Sequence, residues 1–191
     1  ILSKVYLNMA SGKDNNAVGY RDMSIDANAM YTEAANWSAK VLNEQSEFAF
    51  DDSLSNIYDV EYPDGPEHIW LISMDRTGDN TEEFGSTQLM WLPWGPGASY
   101  YVKNPEGVME PAQNGWEVYQ IEDNFITTFD IADKRRTDLM DDKIYDADGN
   151  VIGSVADGNV PASFSKKYLD PNFNGNRGST RPLMIRFTDI A

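Results

Sequence analysis
Asp26–Asn43, DANAMYTEAANWSAKVLN, is the stretch whose reading decides the fold. Ala27, Met30, Ala34, Trp37 and Val41 recur at spacings of three and four, and Tyr31, Ala35 and Leu42 widen the stripe, so the segment predicts an amphipathic helix. Asn28, Asn36, Lys40 and Asn43 supply its polar positions. Upstream, Ile1–Met9 places Leu2, Val5, Tyr6 and Met9 on one helical face, and Asn8–Gly19 is a polar loop. Two helices with wide apolar faces, joined by a loop, predict an α-hairpin docked on neighbours. The first helix begins without a capping residue. At the other end Leu183, Ile185 and Phe187 alternate like a strand, and Thr188 or Asp189 is placed to cap a helix that does not follow. Both ends therefore read as cut. The expected organisation is a single portion over residues 1–191, with a helical hairpin region over 1–60 and a loop-rich binding region over 61–191.

Downstream the pattern changes. Glu67–Met74 (EHIWLISM) has the apolar, β-branched and aromatic content of a buried strand, with Trp70 in its core and His68 a satisfied, partly buried side chain. Trp37 belongs to the core on the same grounds of periodicity. Asp75–Phe84 is a polar turn region, and Gln88–Asn104 reads as one long loop. Ile121–Phe129 resembles a short helix, after which Asp133 and Arg135 suggest an ion pair at a helix end. Lys143–Gly153 reads as a β-hairpin around Asp148-Gly149-Asn150. Loops as long as these in a compact domain are usually functional.

Composition narrows the chemistry. The 191 residues are 41% hydrophobic and 24% charged, so a sizeable core is expected. The formal net charge is −16, from 15 basic and 31 acidic residues. No basic stripe offsets it, which disfavours nucleic acid and anionic membrane surfaces as partners. With no cysteine and one histidine, thiolate sites, disulfides and multi-imidazole zinc sites are excluded. No run of about eighteen apolar residues occurs.

The candidate site residues are aromatic. Trp91, Trp94, Tyr100 and Tyr101 surround Pro93 and Gly95-Pro96-Gly97, where Gly and Pro restrict the loop and hold rings ready for a flat ligand. The apolar face of a pyranose stacks on such rings, at about 1 kcal/mol per good contact by analogy with other aromatic pairs. The alternative is that these rings pin the loop to the core. Asp79, Asn80, Glu82 and Glu83 cluster after a glycine, as hydrogen-bonding groups for sugar hydroxyls, as oxygen ligands for calcium, or as a solvated acidic loop. Asp146–Asn150 lacks the glycine and glutamate of a calcium loop and is read as a turn.

The order of motifs resembles the SusD/RagB-like family. Leu2–Leu7 (LSKVYL) is similar to that family's opening "LAKVYL" helix, and Tyr31, Ala34, Ala35 and Lys40-Val41-Leu42 to its next helix. Glu67-His68-Ile69-Trp70 resembles its "E-x-I" strand, and Phe125, Phe129, Asp133 and Arg135-Arg136 its "F…D-x-R" element. Lys166-Lys167-Tyr168 and Ile185–Ile190 are similar to its "K-Y" and "R-x-x-D-I" signatures. The resemblance implies a mainly α fold with tetratricopeptide-type helix pairs, irregular loops and short β-hairpins. It implies a non-enzymatic lipoprotein of the outer-membrane cell surface, with its lipid anchor outside this stretch and no resident cofactor. Such a protein captures an oligosaccharide, or sometimes a peptide, for a SusC-like TonB-dependent transporter. It also adds Trp116, which follows Asn114-Gly115, to the candidate ligand contacts. Two other classes stay open at this point. A glycoside hydrolase would need two carboxylates about 5–10 Å apart, and no pair stands out. A helical protein–protein interaction module would use the same aromatics against a partner.

Overall fold
The computed structural model describes residues 1–43, 47–77, 88–96 and 99–191. Helix α1 (Leu2–Asp14) and helix α2 (Ala27–Asn43) form the expected hairpin. Asp26 caps α2, its Oδ1 accepting from the Ala29 amide at 3.0 Å. The contact face of α1 differs from the one its periodicity suggested. Leu2 and Val5 remain 46% and 45% exposed, whereas Ser3, Ala10 and Ala34 are buried. The Ser3 and Ser38 hydroxyls share a hydrogen bond of 2.6 Å. Small side chains let the two backbones approach, so the larger apolar residues fall outside the contact. Helix α1 also runs five residues past Met9, absorbing part of the polar segment read as a loop.

These helices belong to one compact unit, formed by Ile1–Asp51, Pro66–Trp70 and Leu183–Ala191. Within it, strand β1 (His68–Leu71) pairs with strand β8 (Leu183–Arg186). Glu67, 3% exposed, accepts from the Asp51 amide and the Thr188 hydroxyl, and Phe50 meets Phe187 edge-on at 5.0 Å. Trp70 is 52% exposed, which corrects its assignment to the core: strand alternation turns it outward between Ile69 and Leu71.

The second unit comprises Asp52–Gly65 and Leu71–Pro182. Its centre is a four-stranded antiparallel sheet of β2 (Ser99–Lys103), β3 (Met109–Gln113), β5 (Lys143–Tyr145) and β6 (Val151–Ser154), in the order β3-β2-β5-β6. β2 and β3 are joined by Asn104–Val108, where the Asn104 carbonyl accepts from the Gly107 amide and its side chain accepts from the Glu106 and Val108 amides. The β5–β6 hairpin matches its sequence reading, with Gly149 at φ 86° and Asp146 bonded to the Asp148 and Asn150 amides. A short pair, β4 (Met140–Asp141) with β7 (Phe164–Ser165), lies beside three one-turn helices, α3 (Gln88–Trp91), α4 (Asp123–Ile126) and α5 (Lys134–Thr137). Leu92, Tyr100, Val102, Ala112, Ile144, Val160 and Phe164 make the core. Each large apolar side chain there contributes about 1.5–3 kcal/mol.

The expectation of a mainly α fold is overturned. Among the described residues, the long helices end at Asn43, and the later elements are strands of two to five residues with helices of one turn. The helical period is confined to the first part of the chain. Beyond it, Pro, Gly, Asn and Asp punctuate short β-favouring runs such as Ser99–Lys103 and Met109–Gln113. Gln88–Asn104, expected to be one loop, contains both α3 and β2. No helix of the described residues is long and apolar enough to cross a membrane.

Two backbone runs meet closely in this unit. The Gly115 amide donates to the Pro93 carbonyl, and a Cβ on Gly115 would fall inside the Leu92 carbonyl. Gly115→Ala is therefore expected to destabilise the protein by about 3 kcal/mol or more, because backbone rather than a flexible side chain must move. Chemical denaturation of the variant checks this; an unchanged midpoint would show that the two runs separate without cost.

Candidate functional site
The site grows from the pairing of residues 90–95 with 114–119. The Tyr119 amide donates to the Met90 carbonyl at 2.8 Å, and the Gly115 amide to the Pro93 carbonyl at 3.0 Å. The Gly95 amide donates to Asn114 Oδ1 at 2.7 Å, and the Trp94 amide to the Glu117 carboxylate. Leu92 between them is fully buried and anchors the run in the core. Trp91 consequently sits at the edge of that core, beside Tyr119.

Trp91 is the hub of an aromatic row. Its ring centroid lies 4.9 Å from that of Tyr119, tilted by 36°, and 5.8 Å from that of Tyr168, stacked at 29°. Next to it opens a cleft of about 280 Å³ lined by Trp91, Phe125, Phe129, Tyr168, Arg135 and Lys167, among others. Phe125 and Phe129 meet edge-to-face at 5.2 Å, and Phe125 is 50% exposed. These separations are those of favourable aromatic pairs. The Arg135 guanidinium lies 4.7 Å from the Phe129 ring centroid and is tied to Asp133, whose carboxylate also caps α5. Lys167 extends its ammonium over the Tyr58 ring at 5.1 Å. Among the described residues no carboxylate lines the cleft.

The sequence candidates are distributed unevenly around this cleft. Trp91 lines it. Trp94 and Trp116 are 62% and 42% exposed, on the two paired runs, and neither lines it. Tyr100 is 1% exposed, its hydroxyl donating to the Pro93 carbonyl at 3.0 Å, and its ring packs where a Cβ on Gly95 would lie. Burial, with the Glu117 charge adding, pushes its phenol far above the usual range. Its position is that of a side chain pinning the loop to the core. Tyr101 is half-buried in β2, opposite Pro111 and Tyr145. Asp79 and Asn80, with the carboxylates beside them that were candidate calcium ligands, lie outside the described residues. Among the described residues no three His, Asp or Glu side chains come together to hold a metal ion. Sequence reasoning did not single out Tyr119, Tyr168, Phe125 and Phe129 as site residues. The four-residue spacing of Phe125 and Phe129 was a visible signal, whereas the approach of Tyr168 to Trp91 is a tertiary contact with no local trace.

The chain thus combines a helix pair with an antiparallel-sheet unit that carries an aromatic cleft, and two solved structures share its fold. The chain is similar to NanU from B. fragilis, with 20% identity over 99% of this chain and 36% of that one and a TM-score of 0.60. It is also similar to surface glycan-binding protein A from Bacteroides uniformis, with 15% identity over 99% of this chain and 42% of that one and a TM-score of 0.55. At these identities the likeness shows a shared fold, and the chain spans roughly two fifths or less of either structure. No family model and no curated protein matches the sequence.

The Asp133–Arg135 pair makes a pH prediction. Hydrogen bonds from Arg135, side chain first and then backbone, hold the Asp133 carboxyl below its ordinary 3.8. A lowered carboxyl favours folding above the unfolded-state value, and that contribution is lost as pH falls through the folded one. A carboxyl-carbon NMR titration is expected to place the Asp133 midpoint below 3.8; a midpoint at or above it would mean that Arg135 is not held.

Proposed function
We propose that this chain is the non-catalytic binding portion of a cell-surface protein, taking up an oligosaccharide at the cleft beside Trp91. The observation that carries this reading is the open cleft of about 280 Å³ lined by Trp91, Tyr168, Phe125 and Phe129, with Tyr119 set against Trp91. Rings held at fixed spacing match the apolar faces of successive pyranoses and lose little entropy on binding. The fold shared with a protein named for surface glycan binding supports the same reading. In the same reading the full-length protein is a lipid-anchored protein of the outer membrane that hands the ligand to a SusC-like TonB-dependent transporter, as the resemblance of the sequence motifs to the SusD/RagB-like family suggests.

The test is a glycan array followed by calorimetry on the full-length protein. Trp91→Ala and Phe125→Ala are expected to weaken oligosaccharide binding by about fivefold each, the loss of roughly one aromatic contact. Phe125, half-exposed, serves as the variant least apt to disturb the fold. No new reducing ends should appear on incubation. Normal binding by both variants, with binding lost in Trp94→Ala or Trp116→Ala, would move the site to those exposed rings. Turnover of the glycan would replace binding with hydrolysis.

A further inference from the structure
A second cavity in the same unit, of about 690 Å³, differs in chemistry from the aromatic cleft. It is lined by both signs of charge: Lys103, Arg136, Lys143 and Lys166 with Asp138, Asp141 and Asp142. In a chain with 31 acidic and 15 basic residues this balance is a local departure. At its inner end the Lys166 side chain is only 7% exposed, and its ammonium donates to the carbonyls of Lys103 and Thr137 at 2.8 and 3.1 Å. Asp141 Oδ1 accepts from the Asp142 and Lys143 amides, while Oδ2 stands 3.9 Å from the Lys166 nitrogen. That separation is too long for a hydrogen bond. An ammonium has three protons to donate, so one remains beyond the two carbonyls. Burial, the largest influence on each, pushes the Asp141 carboxyl up and the Lys166 ammonium down, as for charges taken from water without full compensation.

We propose that this groove is a second saccharide-binding site, in which a ligand hydroxyl accepts from Lys166 and donates to Asp141. A hydroxyl is both donor and acceptor, so from the cavity side it can bridge, at ordinary hydrogen-bond lengths, an ammonium and a carboxylate that stand 3.9 Å apart. Interleaved charges of both signs favour a neutral polyhydroxylated ligand over a polyanion or a polycation, each of which would meet like charges in the lining. The site rests on the preceding reading only in that the ligand is a saccharide; it shares with the aromatic cleft the side chain of Met140 and otherwise uses different residues.

The experiment is calorimetric titration of the full-length protein with neutral disaccharides (maltose, cellobiose, mannobiose and xylobiose), on the parent, Phe125→Ala, Asp141→Asn and Lys143→Ala. The parent is expected to show two classes of site. Phe125→Ala should weaken one and leave the other unchanged. Asp141→Asn should weaken the second by about tenfold, and Lys143→Ala, an exposed position with little bearing on folding, should weaken it by a smaller factor. One class of site sensitive to Phe125→Ala alone would overturn the second site and leave the aromatic cleft standing. One class sensitive to Asp141→Asn and Lys143→Ala alone would uphold the groove and overturn the cleft. Absence of binding to every disaccharide would overturn both.

Discussion

The constraint on which the second unit depends is the approach of Gly115 to the backbone of Leu92. Leu92 is wholly enclosed by Tyr100, Val102, Ile144 and their neighbours, so its position is set by the core. The run 114–119 must then lie against a backbone that cannot retreat, and only a residue without a Cβ fits opposite the Leu92 carbonyl. The hydrogen bonds from Gly115 and Tyr119 to the 90–93 segment follow from that approach. Glu117, held at φ 53°, closes the arrangement by accepting from the Trp94 amide through its side chain. Tyr100 works from the other side, occupying the space left by Gly95 and bonding the Pro93 carbonyl.

This scaffold explains why the aromatic row has its geometry. Register along the paired runs sets Tyr119 beside Trp91, and the β4–β7 pair brings the following segment, with Tyr168, to the other flank of the indole. The rings are therefore carried by backbone that is anchored in the core at Leu92 and Phe164. If the row binds a ligand as proposed, its rings are ordered beforehand, which lowers the entropic cost of association.

The hairpin of α1 and α2 was legible because its apolar period is long and uninterrupted, and the β5–β6 hairpin because Asp148-Gly149 marks its turn. The sheet was less so. Ser99–Lys103 and Val108–Gln113 flank Asn104-Pro105-Glu106-Gly107, a combination that suits a turn, yet the Pro and Gly residues of Gln88–Asn104 drew that stretch, Ser99–Lys103 included, into a loop reading. The contact face of α1 was misread because periodicity favours large apolar residues, while close helix packing selected Ser3 and Ala10. In the site, Trp91 was visible as an aromatic beside a constrained loop, but composition has no means of separating it from Tyr100, which faces inward. That distinction comes from strand alternation in β2, where Tyr100 and Val102 share the buried side.

The charge of the cleft bears on what it binds. Arg135 and Lys167 line it, and by count alone they would invite an anion. Neither charge is uncommitted. The Arg135 guanidinium is bonded to the Asp133 carboxylate through Nε at 3.0 Å and through its terminal nitrogen at 2.5 Å, and the Lys167 ammonium rests over Tyr58. An incoming carboxylate would have to compete with Asp133 for one and displace a cation–π contact at the other, against the field of a chain at −16. A neutral pyranose meets neither cost. In the reading proposed for the cleft its apolar face lies on Trp91 and Phe125, and the paired arginine offers it a donor held in place by its own counter-ion, so that ring shape would count for more than charge.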